Sequence, residues 1–268
     1  MTLSNEEIER YQPHILLKEV GGAGQAKLKN ARVLVVGAGG LGSSSLLYLA
    51  AAGVGTLGII DHDTVDLSNL QRQIIHGEKD IARPKTASAK DQIADTNPHV
   101  NVITYPHKLN AANAMEIIAE YDLVLDGCDN FKTRYLINDA CYFAKKPLIS
   151  AAVGQFEGQV ITFKSFEHDE TGTPCPNYRC LYEEAPHAQE PCATQGILGA
   201  LTGIIGSLQA MEALKEILNI GESLSGKMLI YDGLNNRFNK IKLCWNPDNP
   251  LNGETPTITD LSIHSLED

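Results

Sequence analysis

Basic residues are in short supply. Lys plus Arg number 22 against 33 Asp plus Glu, a formal net charge of −11. A surface that acidic lacks the electrostatic footprint of a nucleic-acid binder. It leaves room for a nucleotide, which needs only a local cationic site. Cysteine is scarce too: six in 268 residues, too few for a disulfide scaffold. The longest apolar run, Leu46 to Ile60, is broken by Thr56 and glycines, and it falls short of the roughly 20 residues a membrane span needs. The start, MTLSNEEIERY, has no basic segment leading into an apolar one, so no signal peptide is expected. These absences predict a soluble, cytoplasmic protein that engages neither membrane nor nucleic acid. What is present is ordinary. Hydrophobic residues make up 43% and charged residues 21%, enough for a sizeable core.

Arg32 to Val36 is apolar and β-branched, then breaks into Gly37-Ala38-Gly39-Gly40-Leu41-Gly42. Helix formers follow from Ser43 to Ala52, and a second apolar strand, Thr56 to Ile60, ends at Asp61. Strand, glycine turn, helix, strand is a βαβ unit, which favours a parallel sheet. The alternation continues with helices at Pro84–Asn97, Asn113–Glu120 and Tyr135–Phe143. Strands are expected at Val100–Tyr105, Leu123–Leu125 and Pro147–Ala152. The pattern predicts an α/β fold with a doubly wound, mostly parallel sheet.

Beyond Ala152 the texture changes. Gln159–Phe163 and Met228–Tyr231 suggest a mixed or antiparallel extension, and Gly196–Ile220 a further helix. Residues 168–194 show little periodicity and read as a long loop. Residues 246–268 read as a tail. Near the start, Glu6 to Gly24 is expected to be one helix and a glycine-rich turn. Residues 1–268 are expected to form a single domain.

Gly37-x-Gly39-x-x-Gly42 follows a strand and opens a helix. The first glycine permits the tight turn and the second lets backbone approach phosphate. The third lets helix and strand pack closely, and free N–H groups at the helix start face the anion. Asp61 ends the next strand, where a carboxylate can accept from ribose hydroxyls. The motif alone does not separate NAD from ATP, and such a turn also occurs without a ligand. Further along come Asp61-His62-Asp63, Asn69-Leu70-Gln71-Arg72-Gln73 and Arg83-Pro84-Lys85. Arg72 can fork onto phosphate oxygens and Lys85 can act as a point charge. A dehydrogenase has no evident use for both, although each could equally be a solvated surface charge. Asp126-Gly127-Cys128-Asp129-Asn130 closes the strand at Leu123–Leu125. The carboxyl ends of strands line the ligand crevice in such sheets, so Asp129 is a candidate Mg²⁺ ligand and Asp126 a structural group.

These residues carry a resemblance. The blocks GAGGLGS, DxDxVxLSNLQRQ, RPK, NPH, LDGCDN and IGSLQAMEALK resemble the MoeB/ThiF/HesA adenylyltransferases, bacterial relatives of ubiquitin-activating enzymes. The likeness runs from about Arg10 to Thr259. It implies that ATP with Mg²⁺ adenylates the C-terminal glycine of a small ubiquitin-like sulfur-carrier protein ending in Gly-Gly. Sulfur then attacks the acyl adenylate to leave a thiocarboxylate, as in molybdopterin or thiamine biosynthesis. It also implies a homodimer. By position, Gly39 and Gly40 would approach the nucleotide, with Gly37 and Gly42 shaping the loop. Asp61 would bind ribose, and Asn69, Arg72 and Lys85 the phosphates. Asp129 would hold Mg²⁺, and Asp63, Gln73 and Asn130 complete the nucleotide set. The residues expected to carry the chemistry are Arg72, Lys85, Asp129 and Cys192. Cys192 lies before a glycine-rich helix, where a thiol can gain thiolate character, and some family members use a cysteine there in transfer to the carrier.

Two departures stand out. Many family members bind a structural zinc through paired cysteines, which need four thiolates for a closed tetrahedral site. Here Cys175 and Cys180 are spaced differently, and Asn249 and Asn252 stand where the second pair is expected, so zinc is not expected. The family's N-terminal RYxR arginine is also replaced by Pro13. Two other functions fit parts of the sequence. A NAD-dependent oxidoreductase suits the glycine motif but leaves Arg72, Lys85 and Asp129 unemployed. A non-catalytic partner-binding derivative suits the two departures but has no need of a complete phosphate site.

Overall fold

In the computed structural model, which describes residues 2–182 and 196–267, the expected strands form one sheet. Strands β1 (Arg32–Val36), β2 (Thr56–Ile60), β3 (Asn101–Tyr105), β4 (Leu123–Asp126) and β5 (Leu148–Val153) run parallel. Strands β6 (Glu157–Phe163), β7 (Lys227–Asp232) and β8 (Arg237–Lys242) extend the sheet antiparallel. The order is β3-β2-β1-β4-β5-β6-β7-β8. The chain therefore winds one way from β1 to β3 and then returns to lay β4 on the other side of β1. The crevice at that reversal is where open α/β sheets bind ligands.

The parallel strands are continuous apolar runs because both of their faces are covered. On one face Val33, Val35, Leu57 and Ile59 pack with Leu46 and Leu49 of helix α4 (Gly40–Ala51). Ile93 of α5 (Lys85–Thr96) and Ile205 and Ala213 of α8 (Gly199–Leu218) complete that layer. On the other face Leu34, Val36 and Val124 meet Ile117 and Ile118 of α6 (Ala114–Ala119). Leu136 and Ile137 of α7 (Phe131–Ala144) join them. Helices α4 and α8 are held together by buried polar groups as well. Ser45 Oγ donates to Gln209 Oε1 at 3.0 Å, while Gln209 Nε2 donates to the carbonyls of Asp126 and Ile149 at 2.8 and 2.9 Å. Gln209 thereby pins α8 to the carboxyl end of β4 and to the start of β5.

Three local expectations need correction. The N-terminal segment is not one helix and a turn but α1 (Asn5–Arg10), α2 (Gln12–Ile15) and α3 (Gly21–Asn30). Of the glycines in the first turn of α3, Gly24 is the one where a small residue is required. A Cβ on Gly24 would lie 3.0 Å from side chains of both Val20 and Leu218, so Gly24 lets α3 rest on the end of α8. Strand β8, RFNKIK, was not foreseen, since every one of its residues is exposed and no buried face marks it. It is a charged sheet edge of the kind that discourages further strand pairing. The loop at 168–194 is exposed over 168–172 but firmly packed over 176–179. A 3₁₀ turn at Tyr178–Cys180 follows Asn177, and Asn177, Tyr178 and Arg179 are all buried.

Candidate functional site

A cleft of about 550 Å³ opens at the carboxyl ends of the strands, beside Gly37, Asp61, Gly127 and Val153. Its floor is the glycine loop between β1 and α4. Gly37 has φ +96°, a backbone shape that glycine alone adopts freely. A Cβ on Gly42 would sit 2.0 Å from the Gly37 carbonyl oxygen, so the third glycine of the motif closes the turn and does not line the cleft. Gly37, Gly39 and Gly40 do line it. Asp61 holds the loop from the side: one carboxylate oxygen accepts the Ala38 N–H at 2.8 Å and the other accepts the Asp63 N–H at 2.8 Å.

Two predicted cations reach the same space. Lys85 opens α5 and is nearly buried, with its ammonium 2.9 Å from the Asp63 carboxylate. Burial works against charge on Asp63, but the hydrogen bond and positive charge of Lys85 prevail and hold its carboxyl below the usual range. Arg72 lines the cleft and donates from its guanidinium to the Ser68 carbonyl at 3.0 Å. Gln73 beside it is 5% exposed. Its Oε1 is, among the described residues, the buried side-chain acceptor left without a hydrogen-bond partner. A buried polar atom left unpaired is costly, so this oxygen calls for a donor from a bound molecule.

Asp129 and Asn130 line the cleft from the β4 side, where Asn130 Oδ1 caps α7 by accepting the Thr133 N–H at 2.9 Å. Asp126 is buried and accepts from Ser150 Oγ at 2.8 Å and from Arg134 at 3.2 Å. It serves the framework. Among the described residues, the acidic, imidazole or thiol groups close enough to share an ion are Asp61, His62 and Asp63; Asp129 is not in that group. Asn69 is set apart from the cleft lining, in a 3₁₀ turn where its Oδ1 accepts the Asp66 N–H at 3.3 Å. Cys192 lies outside the described residues. Cys128 and Cys141 are buried, and burial pushes both thiols up.

Sequence reasoning overlooked several groups. Thr202 of α8 lies over the loop: a Cβ on Gly40 would approach it to 2.8 Å. Tyr178, Tyr182 and His264 form part of the cleft wall although they come from the loop and the tail. His264 is fixed by Asp139, whose Oδ2 lies 2.8 Å from its Nε2, and Arg179 grips the same carboxylate at 2.7 and 3.0 Å. No sequence spacing announces contacts between positions so far apart. Beside Pro13, Arg10 donates to the Thr96 carbonyl at 3.0 Å and His14 Nδ1 lies 3.2 Å from Gln25 Oε1.

At the expected zinc position the side chains bind one another. Asn177 Nδ2 donates to Asn252 Oδ1 at 2.8 Å, and Asn249 Nδ2 donates to Asn177 Oδ1 at 3.0 Å and toward Cys180 Sγ at 3.0 Å. Asn252 Nδ2 reaches the Ser165 and Cys175 carbonyls at 3.2 and 3.0 Å. An amide N–H aimed at Cys180 Sγ cannot serve as a metal ligand, so the residues present do not fit a four-thiolate zinc site.

A glycine loop at the switch point of a doubly wound sheet, with Arg72, Lys85 and the carboxylates of Asp61, Asp63 and Asp129 around one cleft, defines an α/β protein whose site suits a nucleotide. The model of the ThiF family matches residues 11–251, and the chain belongs to that family. It is 47% identical over 261 residues to the probable adenylyltransferase/sulfurtransferase MoeZ of Mycobacterium tuberculosis, matching 97% of this chain and 64% of that protein. The chain thus spans less than two thirds of MoeZ. It is 46% identical to the sulfur carrier protein adenylyltransferase of Thermus thermophilus, with 97% and 96% of the two chains covered. It is 44% identical to the SAMP-activating enzyme E1 of Haloferax volcanii, with 100% and 96% covered. Among solved structures, E. coli MccB with MccA-N7isoASN superposes with a TM-score of 0.78 at 21% identity, covering 93% of this chain and 76% of that one. At that identity the likeness speaks for the fold. No described helix is long and apolar enough to cross a membrane.

Proposed function

We propose that the chain is an ATP-dependent adenylyltransferase acting on a small ubiquitin-like sulfur carrier that ends in Gly-Gly. The observation that carries this reading is the convergence of Gly39, Arg72, Gln73, Lys85 and Asp129 on one cleft. The names of the adenylyltransferase relatives in M. tuberculosis and T. thermophilus support it. The glycine loop would take the phosphates on its backbone N–H groups. Asp61, already turned toward the loop, would accept from ribose hydroxyls, and Gln73 Oε1 would receive a donor from the bound nucleotide. The carrier's terminal carboxylate attacks the α-phosphorus, the bond to pyrophosphate breaks, and an acyl adenylate forms. Charge builds on the phosphates as it does so. Arg72 and Lys85 are placed to stabilise it from a fixed, partly buried setting, which is how electrostatic catalysis gains most.

A Mg²⁺ ion would be held by Asp129 and would supply further charge neutralisation at the phosphates. One protein carboxylate suffices for an ion that keeps waters and shares the substrate's phosphates. Cys192, ahead of α8 in the sequence, would supply a thiol for the later sulfur step. We read residues 1–268 as one domain working in the cytoplasm as a homodimer without zinc. Helices α4 and α8, packed side by side, leave Tyr48, Ile204 and Met211 exposed, apolar surface suited to a second copy. A nucleotide comparison tests the reading: ATP with Mg²⁺ is expected to raise the melting temperature and NAD to leave it unchanged. The reverse result would restore the oxidoreductase.

A further inference from the structure

His76 belongs to neither cation nor carboxylate set and does not line the cleft, yet its ring is 7% exposed and bonded at both ends. Nε2 lies 3.0 Å from the Ala38 carbonyl oxygen and Nδ1 lies 2.8 Å from Ser88 Oγ. A carbonyl oxygen only accepts, so Nε2 carries the hydrogen. In the neutral ring Nδ1 is an acceptor, and it shares the one Ser88 hydroxyl hydrogen with the Asp80 carboxylate, which Ser88 also reaches. Burial, countered by the Ala38 carbonyl and reinforced by Lys85, keeps the ring toward that neutral form.

Ala38 stands between Gly37 and Gly39, and its N–H is already taken by Asp61. Both polar groups of this residue are therefore committed, which fixes the orientation of the loop on either side. Ser88 sits one helical turn beyond Lys85 in α5, on a neighbouring stretch of the helix surface. The imidazole is thus a rigid link between the glycine loop and the first turn of the helix that carries Lys85.

We propose that His76 is a positioning residue that sets the spacing between the glycine loop and Lys85, the two groups expected to grip the ATP phosphates. The proposal rests on the ATP reading above, and its test separates the two. In the full chain, His76→Ala and His76→Asn both lose the bond to Ala38, whereas His76→Gln retains an amide donor that can reach it. ATP affinity is read by calorimetry with ATP–Mg²⁺, and the loop is read separately by hydrogen exchange over residues 37–42. His76→Ala and His76→Asn are expected to weaken ATP binding about tenfold, the scale of one buried hydrogen bond. They are also expected to speed exchange in the loop, while His76→Gln stays within about threefold of the parent. Ser88→Ala removes the far anchor together with the Ser88 contact to Asp80, and an intermediate loss in both readouts is expected. It also decides the matter should the His76 variants fail to fold. Wild-type ATP affinity and wild-type loop protection in His76→Ala, or in Ser88→Ala if that is the variant that folds, overturn the proposal. A parent chain that binds no ATP overturns the functional reading instead, and the loop's exchange then still shows whether His76 holds it.

Discussion

The Lys85 ammonium lies 2.9 Å from the Asp63 carboxylate, with the lysine side chain 7% exposed and the aspartate side chain 52% exposed. The buried partner is the cation. Its single strong anchor is a carboxylate at the cleft edge, so Asp63 orients the charge expected to meet the phosphates. Lys85→Met is predicted to cut kcat/KM for ATP–pyrophosphate exchange by about 100-fold or more, the usual scale for a preorganised electrostatic group. Asp63→Asn is predicted to cost about tenfold with little change in melting temperature, because a half-exposed ion pair contributes little to stability. Exchange within threefold of the parent in Lys85→Met would remove Lys85 from the site.

Gln73 gives a sharper contrast between stability and binding. Its Oε1 is buried without a partner among the described residues, so replacement by leucine removes an unsatisfied acceptor. Gln73→Leu is predicted to leave thermal stability unchanged or raised while weakening ATP about tenfold. A fall in stability with intact ATP affinity would show that the oxygen serves the fold.

His76 predicts an acid-side weakness. Burial first, and Lys85 next, lower its pKa, although the Ala38 carbonyl, Asp61 and Asp80 pull the other way. The unfolded chain then binds this proton at a higher pH than the native chain. Stability is therefore intact above about pH 6.5, the ordinary histidine value, and declines as pH falls from there toward the lowered native value. Chemical denaturation of the parent and His76→Gln at pH 7.5 and pH 5.5 checks this. The parent should lose more stability on acidification than the variant, and equal losses would count against it.

The asparagine cluster makes a further prediction. Asn177, Asn249 and Asn252 are 0%, 1% and 7% exposed, and their mutual hydrogen bonds join the long loop to the tail. Metal analysis of the purified protein should find no stoichiometric zinc, and chelators should leave its melting temperature unchanged. Asn249→Ala strands the buried Leu251 N–H, which Asn249 Oδ1 accepts at 2.8 Å, and should destabilise by about 1–3 kcal/mol. One zinc per chain would contradict this.

The sheet was legible because its strands are buried on both faces: RVLVV, TLGII and LVLD announce themselves without alternation. The glycine loop and the cations could be read because each is coded in consecutive residues. β8 could not, since an exposed edge strand has no buried face to pattern. His76, Thr202 and His264 were missed for another reason. Each reaches the site by a contact that the topology creates, between residues separated by dozens of positions, and nothing local distinguishes such a side chain from an ordinary buried one.

The central claim is carrier activation, and ATP–pyrophosphate exchange measures it most directly. The chain should exchange label between pyrophosphate and ATP only when Mg²⁺ and a carrier ending in Gly-Gly are both present, and removal of the carrier's last glycine should abolish the signal. Exchange absent with every Gly-Gly-ending carrier from the source genome would contradict it.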